Sequence, residues 1–257
     1  DVIAAIKFCR ENGIKHFIMG NGTNLLVKDT GIRGAVIKIA NGFDKIYVKE
    51  NRIYCQSGAL LKKVAEFCLE HSLTGFEFAC GIPGTVGGAI TKNAGAYDGE
   101  MKDIVFKVRA LDKKNNIVEL SNEEMNFRYR GSAVIDQGLV VLGVEFKLEK
   151  GEYSVIEEKM KDLTYRRETK QPLEYPSAGS TFKRPVGYFA GKLIDDAGLR
   201  GIRYGDAQVS EKHCGFVINA GEATFEEVFT LIKTIQKVVH DKFNVMLEPE
   251  VKIIGDD

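Results

Sequence analysis

The sequence predicts an α+β protein in two parts. Short helical and strand-like segments alternate through roughly the first 150 residues, and glycine-rich stretches interrupt them twice. The chain then changes to a charged helix, an irregular loop rich in Pro, Gly and Ser, and one long amphipathic helix.

Asp1 stands like an N-cap before a helix over 2–12, in which Val2, Ile3, Ile6 and Cys9 have helical spacing and which Gly13 ends. A chain that opens on its first helix reads as trimmed. The run IKHFIM (14–19) predicts a buried strand leading into GNGTN, and AVIKI (35–39) and RIYCQ (52–56) predict two more. ALLKKVAEFCLEH (59–71) predicts an amphipathic helix through Leu60, Leu61, Val64 and Cys68, followed by the glycine-rich run GIPGTVGGAI (81–90). IVFKVRALDKKNNIVEL reads as a hairpin turning at Asn115–Asn116, and LVVLGVEFKL (139–148) as a further strand. The second part has a charged helix over 153–165, a loop over 168–186 and a short helix in YFAGKLIDDAG. A strand follows in GFVINA (215–220), and a capping box of Thr224 and Glu227 starts a helix reaching Phe243. LEPEVKIIG closes the chain as a short strand. The division falls near 150–168, which gives domains of 1–168 and 169–257.

At 257 residues, with Lys plus Arg and Asp plus Glu at 36 each, the chain has no global field to draw it to nucleic acid or a membrane surface. No apolar run approaches the roughly 20 residues a membrane helix needs. The five cysteines are scattered without a C-x-x-C pair, so neither a metal site nor a disulfide framework is indicated, and a reducing, cytoplasmic setting follows. Any anionic ligand has to be held by local groups.

Two local groups suit that task. GNGTNLL (20–26) follows a strand and GIPGTVGGA (81–89) follows a helix and loop; glycines there leave backbone N–H groups bare, which is how a loop wraps a phosphate. The dinucleotide fingerprint is not made, because Leu25 stands where the third glycine belongs, and no G-x-x-x-x-G-K-[ST] run exists. Each cluster alone reads equally as a structural turn. Together, rich in Thr and Asn, they favour a large phosphorylated cofactor held by backbone contacts.

MGNGTNLLVKDTGIRGAVI, followed later by GFEFACGIPGTVGGAITKNAGAYDGE, resembles the FAD-binding region of the UDP-N-acetylenolpyruvoylglucosamine reductase family. The resemblance continues in family order through FRYRGS, YPSAGSTFKRP, AGKLIDDAGLRG, HCGFVINAG and LEPEVKIIG, and its spacing is that of the shorter, second type. It implies an FAD-binding domain of the vanillyl-alcohol oxidase (PCMH) type and a smaller α+β substrate-binding domain whose last strand packs back near the active site. It implies, too, a cytoplasmic monomer in peptidoglycan precursor synthesis that uses FAD and NADPH. Family members carry a Thr-x-[Phe/Tyr]-x-x-Gly-Gly-like segment beside the flavin, ahead of the helix on which this chain opens, so FAD retention is a property to measure.

The family's reaction adds a hydride and a proton across the enol ether of UDP-GlcNAc-enolpyruvate, giving UDP-N-acetylmuramate. Negative charge builds at the carbon bearing the carboxylate, which calls for a cation at that carboxylate and a proton donor above the carbon. By resemblance the cation is Arg130 of YRGS, whose guanidinium grips a carboxylate at two points. Glu250 of LEPEV matches the catalytic glutamate, which either steadies the enediolate or, ionised, orients Arg130. Ser180 matches the proton donor: a hydroxyl is a weak acid, but a carbanion-like centre is basic enough to take its proton. On composition alone each of the three reads as a surface or turn residue, and Ser177 in the same loop stays one.

The resemblance implies cofactor contacts from Gly20, Asn21, Gly22, Thr23, Asn24 and Leu25. It implies more from Gly81, Ile82, Pro83, Gly84, Thr85, Gly87, Gly88 and Ala89, and from Asn93, Ala94 and Gly95. Lys170, Lys183 and Arg184, with Tyr97 and His213, are candidates for the UDP diphosphate, against a solvated basic face for the lysines. His213 takes a position where relatives carry glutamine, and Asp98 one that the family more often gives to glycine. Two other readings remain: another flavin oxidoreductase of the same fold acting on a small alcohol or lactone, and a non-catalytic nucleotide-sugar-binding protein.

Overall fold

The computed structural model describes residues 1–256. Its internal contacts divide the chain into two compact units, Asp1–Asn21 with Gly34–Arg167, and Gly22–Arg33 with Glu168 onward. The first glycine loop is therefore shared, its Gly20 and Asn21 in one unit and Gly22–Leu25 in the other.

The first unit is built on a five-stranded antiparallel sheet in the order Ile117–Ser121, Val105–Leu111, Val140–Lys147, Arg52–Gln56, Ile46–Lys49. Arg52–Gln56 shows the two-residue period expected of a strand with one face on a core, burying Ile53 and Cys55. The edge strand Ile46–Lys49, not anticipated above, stacks Tyr47 on Tyr54 at 4.8 Å. The hairpin turns where expected: Asp112 accepts from the N–H groups of Lys114 and Asn116, both at 2.8 Å, while Asn115 takes φ +66. The helix Leu61–Glu70 lays Leu61, Val64, Ala65 and Cys68 into the core that includes Phe76, Met101 and Phe146.

Three expectations change. His16–Met19 is half-buried throughout, because it pairs in parallel with Ala35–Lys38 alone and covers only a small cluster around Ile6 and Ile39. The charged helix is longer than read, Tyr153–Lys170, so the irregular loop starts at Gln171. The second glycine run is helix over Val86–Lys92. Its Val86, Ala89 and Ile90 are buried, and Gly87 lets it approach so closely that a Cβ would lie 3.0 Å from the Ser57 Cβ.

Ahead of that run sits a buried carboxylate. Glu77, 2% exposed, accepts from the Thr74 hydroxyl at 2.6 Å and the Gly75 N–H at 3.1 Å, and pairs with Lys159 at 3.2 Å. Burial alone would push its carboxyl up, but the Thr74, Gly75 and Glu77 hydrogen bonds and Lys159 outweigh that and hold it below the usual 4.5. A carboxylate depressed in the fold adds stability above its unfolded pKa, and the contribution is lost as pH falls through the folded value. We predict that Glu77→Gln costs about 2 kcal/mol at pH 7 and removes part of the acid limb below pH 4.5. Urea melts of both proteins at pH 7 and pH 4 check it.

The second unit holds a three-stranded antiparallel sheet, Arg203–Tyr204, Ala207–Val209, Val217–Asn219, and the helix Phe225–Phe243, whose Leu231, Ile232, Ile235 and Val239 are buried. The capping box forms as expected, with the Glu227 N–H donating to Thr224 Oγ1 at 3.2 Å. Leu25–Val27 pairs in parallel with Lys252–Ile254, and Asp29 accepts from the Phe225 N–H at 2.9 Å. These contacts explain why 22–33, placed above in the first domain, belong to this unit.

Candidate active site

In the first unit the two glycine loops lie against each other. The Asn21 side-chain amide donates to the Pro83 carbonyl at 2.8 Å, and a Cβ on Gly20 would stand 2.2 Å from Thr85 Oγ1, so only glycine fits. The backbone N–H groups of Asn21, Gly84 and Thr85 donate to no group among the described residues. Bare donors on paired glycine loops suit a pyrophosphate, and the residues fit FAD in that respect. Gly81 and Ile82 are half-buried, Pro83 and Gly88 exposed. Ala89 is a buried core residue whose N–H bonds the Thr85 carbonyl, and Ala94 packs against the core.

Asn93, expected to contact the cofactor, differs. It is 1% exposed, and its side-chain amide donates to Glu100 and to the Arg128 carbonyl while its oxygen accepts from the Lys102 N–H. That side chain serves the protein rather than a ligand.

Arg130 sits in a tight turn closed by reciprocal Arg128–Gly131 backbone bonds, both 3.1 Å, with φ +56. Its guanidinium lies 4.9 Å from the Tyr129 ring. Tyr97 and Asp98, at φ +51 and +66, form the two-residue loop of a hairpin between Gly95–Ala96 and Gly99–Glu100. Two consecutive left-handed residues are what such a loop demands, which is why glycine suits position 98. Arg167 was not singled out by sequence, since an arginine in a charged helix reads as solvated. Its chain lies beside Gly81, burial pushes its guanidinium down, and Tyr97 and Cys80 act in the opposite sense.

In the second unit Ser180 is exposed, and its hydroxyl makes no hydrogen bond among the described residues. Its neighbour Thr181 is 2% exposed and anchors the strand: its N–H donates to the Gly215 carbonyl at 2.8 Å and its Oγ1 accepts from the Val217 N–H at 2.9 Å. On the other side the Glu250 N–H donates to the Thr181 carbonyl at 2.8 Å. Ser180 and Glu250 thus come from adjacent extended segments, with Asn24 bonded to the Ala178 carbonyl at 3.3 Å and Thr23 beside Gly179.

The basic candidates fare differently. Lys183 is ion-paired with Glu248, Arg184 stacks on Phe189 at 4.0 Å, and Lys170 is exposed at the end of its helix. His213 is half-buried and accepts at Nδ1 from the Gly215 N–H at 3.0 Å, so its proton is on Nε2. Burial chiefly, and Arg200 in part, push its pKa below 6.5. At neutral pH it offers a hydrogen bond and no charge. The imidazole proton resonances of His213 should titrate below those of a free histidine; titration at or above 6.5 would contradict this environment.

Residues 1–121 match the family described as FAD binding domain, and 171–254 match the C-terminal domain of UDP-N-acetylenolpyruvoylglucosamine reductase. A curated protein of that name from Clostridium perfringens (strain SM101 / Type A) is 56% identical over 256 residues, 100% of this chain and 84% of the relative. The chain belongs to the UDP-N-acetylenolpyruvoylglucosamine reductase family. A further member, from Caldanaerobacter subterraneus subsp. tengcongensis, is 55% identical over the same shares. The crystal structure of the Thermus caldophilus reductase matches 97% of this chain and 89% of its own, at 32% identity and a TM-score of 0.85. The α+β fold with an FAD-binding part is that of the family.

Proposed function

We propose that the chain reduces UDP-GlcNAc-enolpyruvate to UDP-N-acetylmuramate as a cytoplasmic, monomeric enzyme using NADPH and FAD. The observation that carries the reading is the match to the reductase family over 100% of this chain and 84% of the relative; the resemblance in YRGS, YPSAGSTFKRP and LEPEV makes Arg130, Ser180 and Glu250 the candidates for its chemistry. The domains are read as cofactor-binding (1–168) and substrate-binding (169–257), with 22–33 lent to the second unit. Gly20, Asn21, Gly84 and Thr85 would hold the pyrophosphate of FAD by backbone donors and close approach. The chemistry that bound FAD supplies is hydride transfer from NADPH to the enol ether.

The chain's own residues do the rest. Arg130 holds the substrate carboxylate and favours the charge that develops there. Ser180, whose hydroxyl makes no hydrogen bond among the described residues, hands its proton to the carbon beside that carboxylate and regains one from solvent. Glu250 either steadies the same developing charge as a neutral acid or, ionised, orients Arg130. Arg184 and Lys170 face the diphosphate, with neutral His213 as a donor.

Anaerobic titration tests the reading. Protein supplied with FAD should bleach with NADPH and recover its yellow colour on adding UDP-GlcNAc-enolpyruvate. Oxygen consumption with simple alcohols instead would make it an oxidase. Failure to hold any flavin would favour the nucleotide-sugar-binding reading.

A further inference from the structure

Two of the site's side chains are carried on backbone that L-residues avoid. Arg130 occupies a left-handed position near the end of the Arg128–Gly131 turn, and Tyr97 opens a left-handed pair. Each such non-glycine residue is strained and persists only where its surroundings over-determine it.

Asn93 connects the bases of both turns. It terminates the helix Val86–Lys92 at φ +44, a conformation that asparagine tolerates, and is all but fully buried. Its amide nitrogen reaches the Arg128 carbonyl at 3.3 Å on the Arg130 side. The same nitrogen reaches the Glu100 carboxylate on the Tyr97 side, and its oxygen accepts from the Lys102 N–H at 2.9 Å. Glu100 is itself fixed by Lys102 at 2.7 Å and by the bond from its N–H to Asp103 at 2.9 Å. One side chain therefore joins three segments, and all of these residues lie in the first unit.

We propose that Asn93 is a positioning residue that holds the Arg130 turn and the Tyr97 hairpin in register for the enolpyruvyl substrate. The inference rests on the reductase reading for its substrate, and on the hydrogen bonds alone for its geometry. The Arg128–Asp136 ion pair and the Ser132 bond to the Thr91 carbonyl support the Arg130 turn from its other end, so the role of Asn93 is separable from folding.

The informative variant is Asn93→Gly, which keeps the left-handed backbone and deletes the amide. In the FAD-loaded protein, flavin reduction by NADPH should stay within about threefold of wild type, while reoxidation by UDP-GlcNAc-enolpyruvate slows roughly tenfold or more. Independently of catalysis, the Gly131 amide should exchange with solvent about tenfold faster, because its turn has lost a tether. Equal slowing of both half-reactions, or loss of FAD, would return Asn93 to the cofactor site and overturn the proposal. Unchanged Gly131 exchange would also overturn it. If wild type fails to turn over the enolpyruvyl sugar, the reductase reading falls, and Gly131 exchange still decides the structural claim.

Discussion

Replacing Arg130 with glycine should make the protein more stable and nearly inactive. At φ +56 the Arg130 Cβ crowds its own backbone, and glycine adopts that conformation freely. Relief of the strain, less the extra entropy glycine brings to the unfolded chain, leaves a gain of up to about 1 kcal/mol. For a chain of this length that is a rise in Tm of about 2–4 °C. The same change removes the charge and the two-point grip, and reoxidation of reduced flavin by the enolpyruvyl substrate should fall roughly 10²–10³-fold. Arg130→Lys keeps both strain and charge but not the planar fork, and should show intermediate activity at unchanged stability. Thermal melts and single-turnover traces of the three proteins check this. A destabilised glycine variant would mean that the contacts of the Arg130 side chain, that with Tyr129 among them, outweigh the backbone strain.

Ser180→Ala should slow the second half-reaction about 10²–10⁴-fold, the usual weight of a positioned proton donor, with NADPH reduction of the flavin nearly intact. Stability should stay within about 0.5 kcal/mol, because the exposed hydroxyl bonds nothing among the described residues and the segment is anchored by buried Thr181. Ser180→Cys, a stronger acid at the same place, should recover part of the rate. Equal damage to both half-reactions would mean that Ser180 shapes the site rather than donates a proton.

These effects were unevenly legible in the sequence. The capping box at Thr224 and Glu227 and the alternation in Arg52–Gln56 are local signals, and local signals survive folding. The pairing of the two glycine loops was legible as composition, but the fit of Gly20 against Thr85 is a property of backbones brought together from distant segments. The partners of Asn93 were hidden for the same reason: its neighbours in sequence are a glycine-rich run, while its hydrogen bonds go to Glu100, Lys102 and Arg128. Residues 22–33 join the second unit through a strand pair between opposite ends of the chain, which no window of sequence contains. Glu77 left a trace, a lone carboxylate amid Phe, Ala and Gly in GFEFACG, and such a residue is more often satisfied inside than solvated. Arg130 needed the resemblance, since its left-handed turn has none of the usual turn residues at its tip.

Electrons pass from NADPH by way of FAD to an enolpyruvyl UDP-sugar in the reaction of this family. The most direct measurement is NADPH oxidation by the FAD-supplied protein under anaerobic conditions, with product identified by mass spectrometry. Oxidation should depend on UDP-GlcNAc-enolpyruvate, and UDP-N-acetylmuramate should form mole for mole with NADPH consumed. NADPH oxidation indifferent to the sugar, or none at all with flavin bound, would contradict it.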